Sequence, residues 1–195
     1  MYAVGHLAIG YLLGKATAKL LKVEVNIPLL FVFSVIPDID LLIPGLKHRG
    51  PTHSIIVLGL FFLPVFINYR KRSIAYFVAL VLHSLVSDTF VGETQLLWPF
   101  TATYYGIGIG MTSLTNILAE WIFFTASLIT LFKTNDMKTL LHSHVSNLFF
   151  LIPALTVMLP PLIMFPTYIP TELTIPHITY ITLFAIAIIR ASKPL

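Results

Sequence analysis

Pro37 to Ser54 reads PDIDLLIPGLKHRGPTHS, and this stretch gathers Asp38, Asp40, Lys47, His48, Arg49, Thr52, His53 and Ser54. The whole chain of 195 residues has only 8 acidic residues and 7 histidines. Imidazoles and carboxylates together are ligands for divalent metals, zinc first, with manganese or iron as alternatives and one or two ions possible. Three further residues share this chemistry: His6 near the start, and His83 and Asp88 beyond the stretch. The candidate metal ligands are therefore His6, Asp38, Asp40, His48, His53, His83 and Asp88. Arg49 is a fixed planar cation suited to phosphate or carboxylate, and Lys47 lies beside it. A metal with an open position activates water near neutral pH. Asp38 or Asp40 could take the proton, and Arg49, Lys47 and Ser54 could hold an anionic substrate.

The spacing constrains how these groups meet. Residues two apart on a regular helix do not share a face, so Asp38 and Asp40 converge only at an irregular helix end, which Pro37 invites. Gly50-Pro51 is a turn signal between His48 and His53. Thr52 or Ser54 also suits the N-cap of the following helix, the more ordinary role for either. No nucleophile-elbow motif frames Ser54.

The elements that must position these residues belong to a membrane protein. The chain is 57% hydrophobic and 10% charged, with mean hydropathy +0.90, whereas soluble domains carry about 25% charged residues. The expected fold is an all-α polytopic membrane bundle of about six to seven transmembrane helices, since lipid leaves no backbone group unpaired. Seven apolar segments run roughly over 4–22, 28–44, 54–69, 73–92, 113–132, 146–166 and 174–190. The first and third are the weakest spans, the first for its lysines and the third for its length. Pro160-Pro161 should interrupt the sixth. One integral membrane domain covers 1–195, with the motifs in 1–112 and additional membrane helices in 113–195. Cysteine is absent, which excludes disulfides and thiolate sites. The N-terminus has no positive region before its apolar run, so no removable signal peptide is expected. A formal charge of +4 without clustering gives no nucleic-acid footprint.

Charge orients the bundle. If the segments alternate, Lys15, Lys19, Lys22, Arg70, Lys71, Arg72, Lys133, Lys138, Arg190 and Lys193 fall on one side, which the positive-inside rule makes cytoplasmic. Lys47 and Arg49 fall on the other. The same alternation carries all seven candidate ligands to that other, extracytoplasmic end of a multi-pass protein in the cell membrane. An Asp at a helix centre costs about 2.5–3.5 kcal/mol to insert, and a cation neutralises the group at one stroke. The partners expected are the lipid bilayer and a lipid or anionic small-molecule substrate; oligomeric state is not legible. Glu120, in the outer half of the fifth segment, is placed to neutralise Arg49 or orient a histidine. His142 and His144 read as solvated residues at the inner side, and His177 as isolated. YYGIGIGMT reads as an outer loop or a close-packing stretch, and Trp98, Tyr104 and Tyr105 as an interfacial belt.

At these residues the sequence resembles the YdjM/YbcI family of small membrane-bound proteins, described as predicted metal-dependent hydrolases. The pieces that carry the resemblance are Gly5-His6, PDID at 37–40, HRGPTHS at 48–54, His83 with Asp88, and LLWPF at 96–100. They cover about the first half of the chain. The resemblance implies a metal centre and hydrolysis, here of a lipid or lipid-linked phosphoester. The family usually places Asp four residues after His on the fourth helix. Here Ser87 stands in that place and Asp88 follows one later, so Asp88 rejoins the site only if the helix bulges or ends there. A non-enzymatic metal or ion carrier, or a structural membrane protein, is the alternative class.

Overall fold

A computed structural model describes residues 1–163 and 168–191. Positions 164–166 of the sixth apolar segment and Lys193 lie outside the described residues. The chain is helical, as its composition requires. The α-helices are α1 (Ala3–Leu21), α2 (Ile27–Phe33), α3 (Ile55–Tyr69), α4 (Ile74–Leu82), α5 (Thr89–Val91), α6 (Leu114–Lys133), α7 (Asp136–Leu141), α8 (Leu151–Pro153) and α9 (Thr174–Ala191). Shorter 3-10 and π-helical turns join several of them, and the only strand-like pairing among the described residues is a bridge between Thr94 and Tyr105.

Among the described residues, four helical stretches are long and apolar enough to cross a membrane: Ile55–Val91, Leu114–Lys133, Val145–Ile163 and Thr171–Ala191. This is fewer than the seven apolar segments of the sequence, for identifiable reasons. The stretch Ile55–Val91 contains two segments, because Arg70 at φ 45° turns the chain back on itself. Phe62 of α3 then stacks near Phe77 of α4, with ring centroids 5.1 Å apart, and Leu58, Phe62 and Leu80 form one buried cluster. Segment 28–44 yields only the seven residues of α2 before a 3-10 turn, Ile36–Leu42, takes over. Pro37 sits in that turn, where its missing N–H breaks the α-helical ladder. Helix α1 is long enough, but it carries Lys15 and Lys19.

Helix α1 is the axis of the bundle and packs against α2, α4 and α6. Gly10 permits this closeness, since a Cβ there would overlap Ser34. The main core joins Leu7, Tyr11, Leu30, Phe31, Phe150 and Phe184. At one end of it, Lys15 Nζ pairs with Asp136 Oδ1 at 2.8 Å, and the Tyr11 hydroxyl donates to Asp136 Oδ2 at 2.8 Å. The other end holds the histidines and aspartates.

Candidate metal centre

Four elements bring the ionisable groups together. The 3-10 turn Ile36–Leu42 supplies Asp38 and Asp40, the turn Pro51–His53 supplies His53, and a π-helical turn from His83 to Asp88 ends the α4 segment. His48 and Arg49 come from the loop between the first two. Asp38, Asp40, His53, His83 and Asp88 are each no more than 5% exposed.

The π-helical turn resolves the spacing between His83 and Asp88. A π-helix closes i to i+5 bonds, so residues five apart stack on one face as residues four apart do in an α-helix. His83 Nε2 accordingly lies 3.2 Å from Asp88 Oδ2. Ser87 is buried, and its carbonyl accepts from the Met1 amine at 3.2 Å.

Among the described residues, two groups of four side chains could hold a metal ion: Asp38, His53, His83 and Asp88, and Asp38, Asp40, His48 and His53. In the first, His53 Nε2 is 3.4 Å from Asp38 Oδ1 and 3.2 Å from Asp88 Oδ2. His83 Nε2 is 3.2 Å from Asp38 Oδ1 and 3.2 Å from His53 Nε2. All four residues are buried. The second group is more open, because the His48 side chain is 37% exposed. There His48 Nδ1 is 3.1 Å from Asp40 Oδ1 and 3.9 Å from Asp38 Oδ1.

The backbone selects the histidine tautomers. Asp38 N donates to Val35 O at 3.1 Å, an i to i+3 bond, and so leaves the Ser34 carbonyl without its helical partner. His83 Nδ1 fills that place and donates to Ser34 O at 2.7 Å, which turns the Nε2 lone pair to the cluster. His53 is held from its other side. The Thr52 hydroxyl donates to Asp40 Oδ2 at 2.8 Å, so His53 Nδ1, 3.0 Å from that hydroxyl and 3.2 Å from Asp40 Oδ2, carries the proton. Carboxylates or carbonyls behind a histidine are the usual way of orienting it toward a metal.

Burial alone would push the His53 pKa down, but Asp38, Asp40 and Asp88 around it outweigh that and raise it well above the usual range. Burial pushes Asp40 up, and hydrogen bonds from His48, His53 and Thr52 reverse this and hold it at about 2. A proton and a cation thus compete for one imidazole nitrogen among three carboxylates. Both oxygens of Asp88 are buried without a hydrogen bond among the described residues, although Arg49 Nε lies 3.2 Å from Oδ1.

Other expected residues take different roles. His6 stacks on the His83 ring at 4.0 Å, but its Nε2 donates to Met1 O at 3.1 Å and stays 3.6 Å from Asp88 Oδ1. It belongs to neither four-residue group and supports the cluster from beside it. Glu120 does not reach Arg49, whose ion-pair partner is Asp88. Glu120 Oε1 instead accepts from Tyr2 N at 2.5 Å, and a Cβ on Gly5 would sit 2.9 Å from its carboxylate. Gly5 of the Gly5-His6 pair is therefore the room Glu120 needs.

Ser54, expected among the substrate-binding residues, sits as a helix cap. It is fully buried, accepts from Ile56 N and Val57 N as the N-cap of α3, and donates to Trp98 O at 2.5 Å. Ile55 N also donates to Leu96 O at 3.0 Å, so LLWPF at 96–100 brackets the start of α3. Ser54→Ala should cost about 1 kcal/mol of stability, the usual value of a cap, and leave metal content unchanged. Thermal unfolding in detergent with metal analysis checks both. Lys47 is exposed and rests its ammonium over the Tyr104 ring at 4.4 Å. The Arg49 side chain, 15% exposed, lies against Gly92, and its backbone carbonyl accepts from Gln95 N at 3.0 Å.

The cluster borders a cavity of about 350 Å³, whose lining includes His6, Asp38, His48 and Arg49 together with Val157, Pro161 and His177. His177 is the residue that sequence reasoning missed. It is 2% exposed and not isolated. Among the described residues, then, the bundle places an acidic, histidine-rich group that could hold a metal ion beside a pocket that Asp38 and His48 line.

No significant match to the chain was found among curated proteins or among solved structures. Residues 1–165 match the family model described as YdjM inner membrane protein, which spans most of the chain and all of the cluster. The chain is a membrane protein and belongs to the YdjM inner membrane protein family.

Proposed function

We propose that the chain is a membrane-embedded, metal-dependent hydrolase of a lipid or lipid-linked phosphoester, with its site at the extracytoplasmic face. The observation that carries this reading is the edge lengths of the inner group. A tetrahedral ligand set with bonds of about 2.0–2.1 Å has edges of about 3.3–3.4 Å. The five distances among Asp38 Oδ1, His53 Nε2, His83 Nε2 and Asp88 Oδ2 given above fall between 3.2 and 3.4 Å. That set favours zinc. The orphaned oxygens of Asp88 fit the same need.

Charge supports one ion as the resident. Asp38, Asp40 and Asp88 are carboxylates and Arg49 is a guanidinium, so a single divalent cation brings the buried sum to zero. Asp38, His53, His83 and Asp88 would hold it. Asp40, with His48 and Thr52 bonded to it, would fix His53 from behind and could take a proton relayed through that imidazole or through His48, which borders the cavity. The metal, when bound, supplies Lewis acidity and activates water for hydrolysis. Arg49 borders the cavity and its fork suits a phosphoryl oxygen. The chain's two basic residues outside the positive-inside pattern, Lys47 and Arg49, are in this loop, which supports an anionic substrate. The core between the cluster and the Lys15–Asp136 pair is apolar, which disfavours a path through the bundle and hence a carrier.

Protein purified without chelators should contain about one zinc per chain, the load of a single tetrahedral site, and should release product from phospholipid or lipid-phosphate micelles in a metal-dependent way. Transport of metal without turnover would establish the carrier instead. Metal-free protein that stays folded would leave only a structural role.

A further inference from the structure

Part of the cavity lining lies beyond the family-matched residues, and His177 there joins another polar side chain of the lining, Thr156, whose hydroxyl donates to Ile152 O at 2.8 Å. Met158 ends a π-helical turn, Ala154–Met158, and Pro160-Pro161 follow. Proline has no N–H to donate, and Leu162 N turns to Leu159 O at 3.0 Å. The Met158 carbonyl is thereby left over, and His177 Nε2 donates to it at 2.7 Å. This bond fixes the tautomer. Nδ1 is then the acceptor nitrogen, and it has no hydrogen bond among the described residues. His177 borders the same cavity as Asp38, His48 and Arg49.

We propose that His177 is the second polar anchor of the substrate pocket, and that its Nδ1 accepts a hydrogen bond from a hydroxyl or amine on the polar head of an anionic phosphodiester. The inference rests on the reading of the pocket as a substrate site and deepens it. One part of the lining, with Arg49 and the aspartate–histidine group, takes the anion. Beside His177 the lining residues Val157, Pro161 and Ile169 are apolar, and Nδ1 is the imidazole acceptor among them, with the Thr156 hydroxyl nearby in the same lining. A cavity of about 350 Å³ is at the small end of ligand pockets, which run from about 300 to 1,000 Å³. It has room for a head group and not for a whole lipid. A pocket built to pair with a donor discriminates against the analogue that lacks it, since the buried acceptor is then left alone.

The test compares binding of two probes to the purified full chain in detergent: lysophosphatidylglycerol, whose head carries hydroxyls, and lysophosphatidylmethanol, whose head carries none. The wild type should prefer the first by about tenfold, the worth of one hydrogen bond near 1.4 kcal/mol. His177→Gln keeps a donor where Nε2 meets Met158 and loses the acceptor at Nδ1, so it should lose the preference while binding lysophosphatidylmethanol as before. His177→Asn places an amide oxygen near the Nδ1 position and should retain part of the preference. No preference in the wild type, or an undiminished preference in His177→Gln, overturns the proposal. Glycerophosphoglycerol, with the same head and no acyl chain, serves as a competitor. Its success would assign the contact to free phosphodiesters, and its failure to lipid ones, with the His177 dependence required in both cases. Metal content measured on the same samples separates the two readings. If the metal centre fails, zinc is absent whatever the probes do; if the His177 contact fails, zinc remains and the preference is missing.

Discussion

Asp38→Ala should lower zinc affinity by more than about 100-fold, whereas Asp40→Asn should lower it by only about 10–100-fold, the range for residues that orient ligands. The two carboxylates lie two residues apart in one 3-10 turn, yet the structure gives them different work. Asp38 Oδ1 stands 3.4 Å from His53 Nε2 and 3.2 Å from His83 Nε2, so its loss removes a corner of the inner group. Asp40 faces the back of His53 through Nδ1, at 3.2 Å, and Asn at that position keeps an oxygen that can accept from it. Removing Asp38 also leaves the buried imidazoles with fewer anions, so stability should fall beside affinity. Competition against a chromophoric chelator, on protein shown to be folded, measures the ratio. Equal losses for the two variants would mean that Asp40 binds the ion directly, through the more exposed group with His48.

The second large effect concerns the π-helical turn. Exchanging the last two positions of His83–Asp88, as Ser87→Asp with Asp88→Ser, restores the His-to-Asp spacing of four that the family usually shows. It should nonetheless remove the metal site, because in this turn position 88, not 87, shares the face of His83. Deleting Val86, which is 37% exposed on the outside of the turn, should do the opposite. The turn closes to α-helical geometry, Asp88 becomes the fourth residue after His83, and zinc binding survives. A π-helical turn is a local bulge within an otherwise continuous helix, so residues on either side can keep their places. Zinc content of the two variants decides the matter. Binding retained by the exchange and lost by the deletion would refute the assignment.

The end of the bundle where the site sits was legible because two sequence signals agreed. Basic residues marked one side, and the seven ligand candidates fell on the other. Five of these, Asp38, Asp40, His53, His83 and Asp88, are buried together. His6 could not be separated from them by sequence, since it lies on the correct end of the correct helix and differs only in which nitrogen is already engaged. Ser54 was ambiguous for a similar reason: a hydroxyl before a helix serves as cap or contact, and the partners that settle it, Trp98 and Leu96, come from more than forty residues away. His177 was missed because its importance depends on a fold-back of the last two apolar segments over the cluster. Its signal was Pro160-Pro161. Read as a kink, that pair predicts a broken helix; read as a loss of N–H donors, it also predicts an idle carbonyl in search of a partner. Pro37 and the Ser34 carbonyl repeat the pattern at His83. Where local chemistry broke an apolar run, as at α2, the helix is shorter than the segment that announced it.

The packing beneath Arg49 has a consequence for the outer loop. A Cβ on Gly92 would overlap the Arg49 guanidinium, and a Cβ on Gly106 would overlap the Gly92 carbonyl. Arginine, strand-like turn and loop are thus stacked with no clearance from position 106 to the carboxylate of Asp88. Gly108 and Gly110, a few residues on, have nothing within 4 Å of where a Cβ would stand and adopt φ values of 71° and 90°, and the segment is tied to the turn after Asp88 by Ile107 N to Thr89 O at 2.6 Å and Gly110 N to Val91 O at 2.9 Å. The loop therefore behaves as a shim: its thickness at one residue sets the height of the Arg49 guanidinium above Asp88, and its backbone bonds to Thr89, Phe90 and Val91 hold that thickness in register with the turn that carries the aspartate.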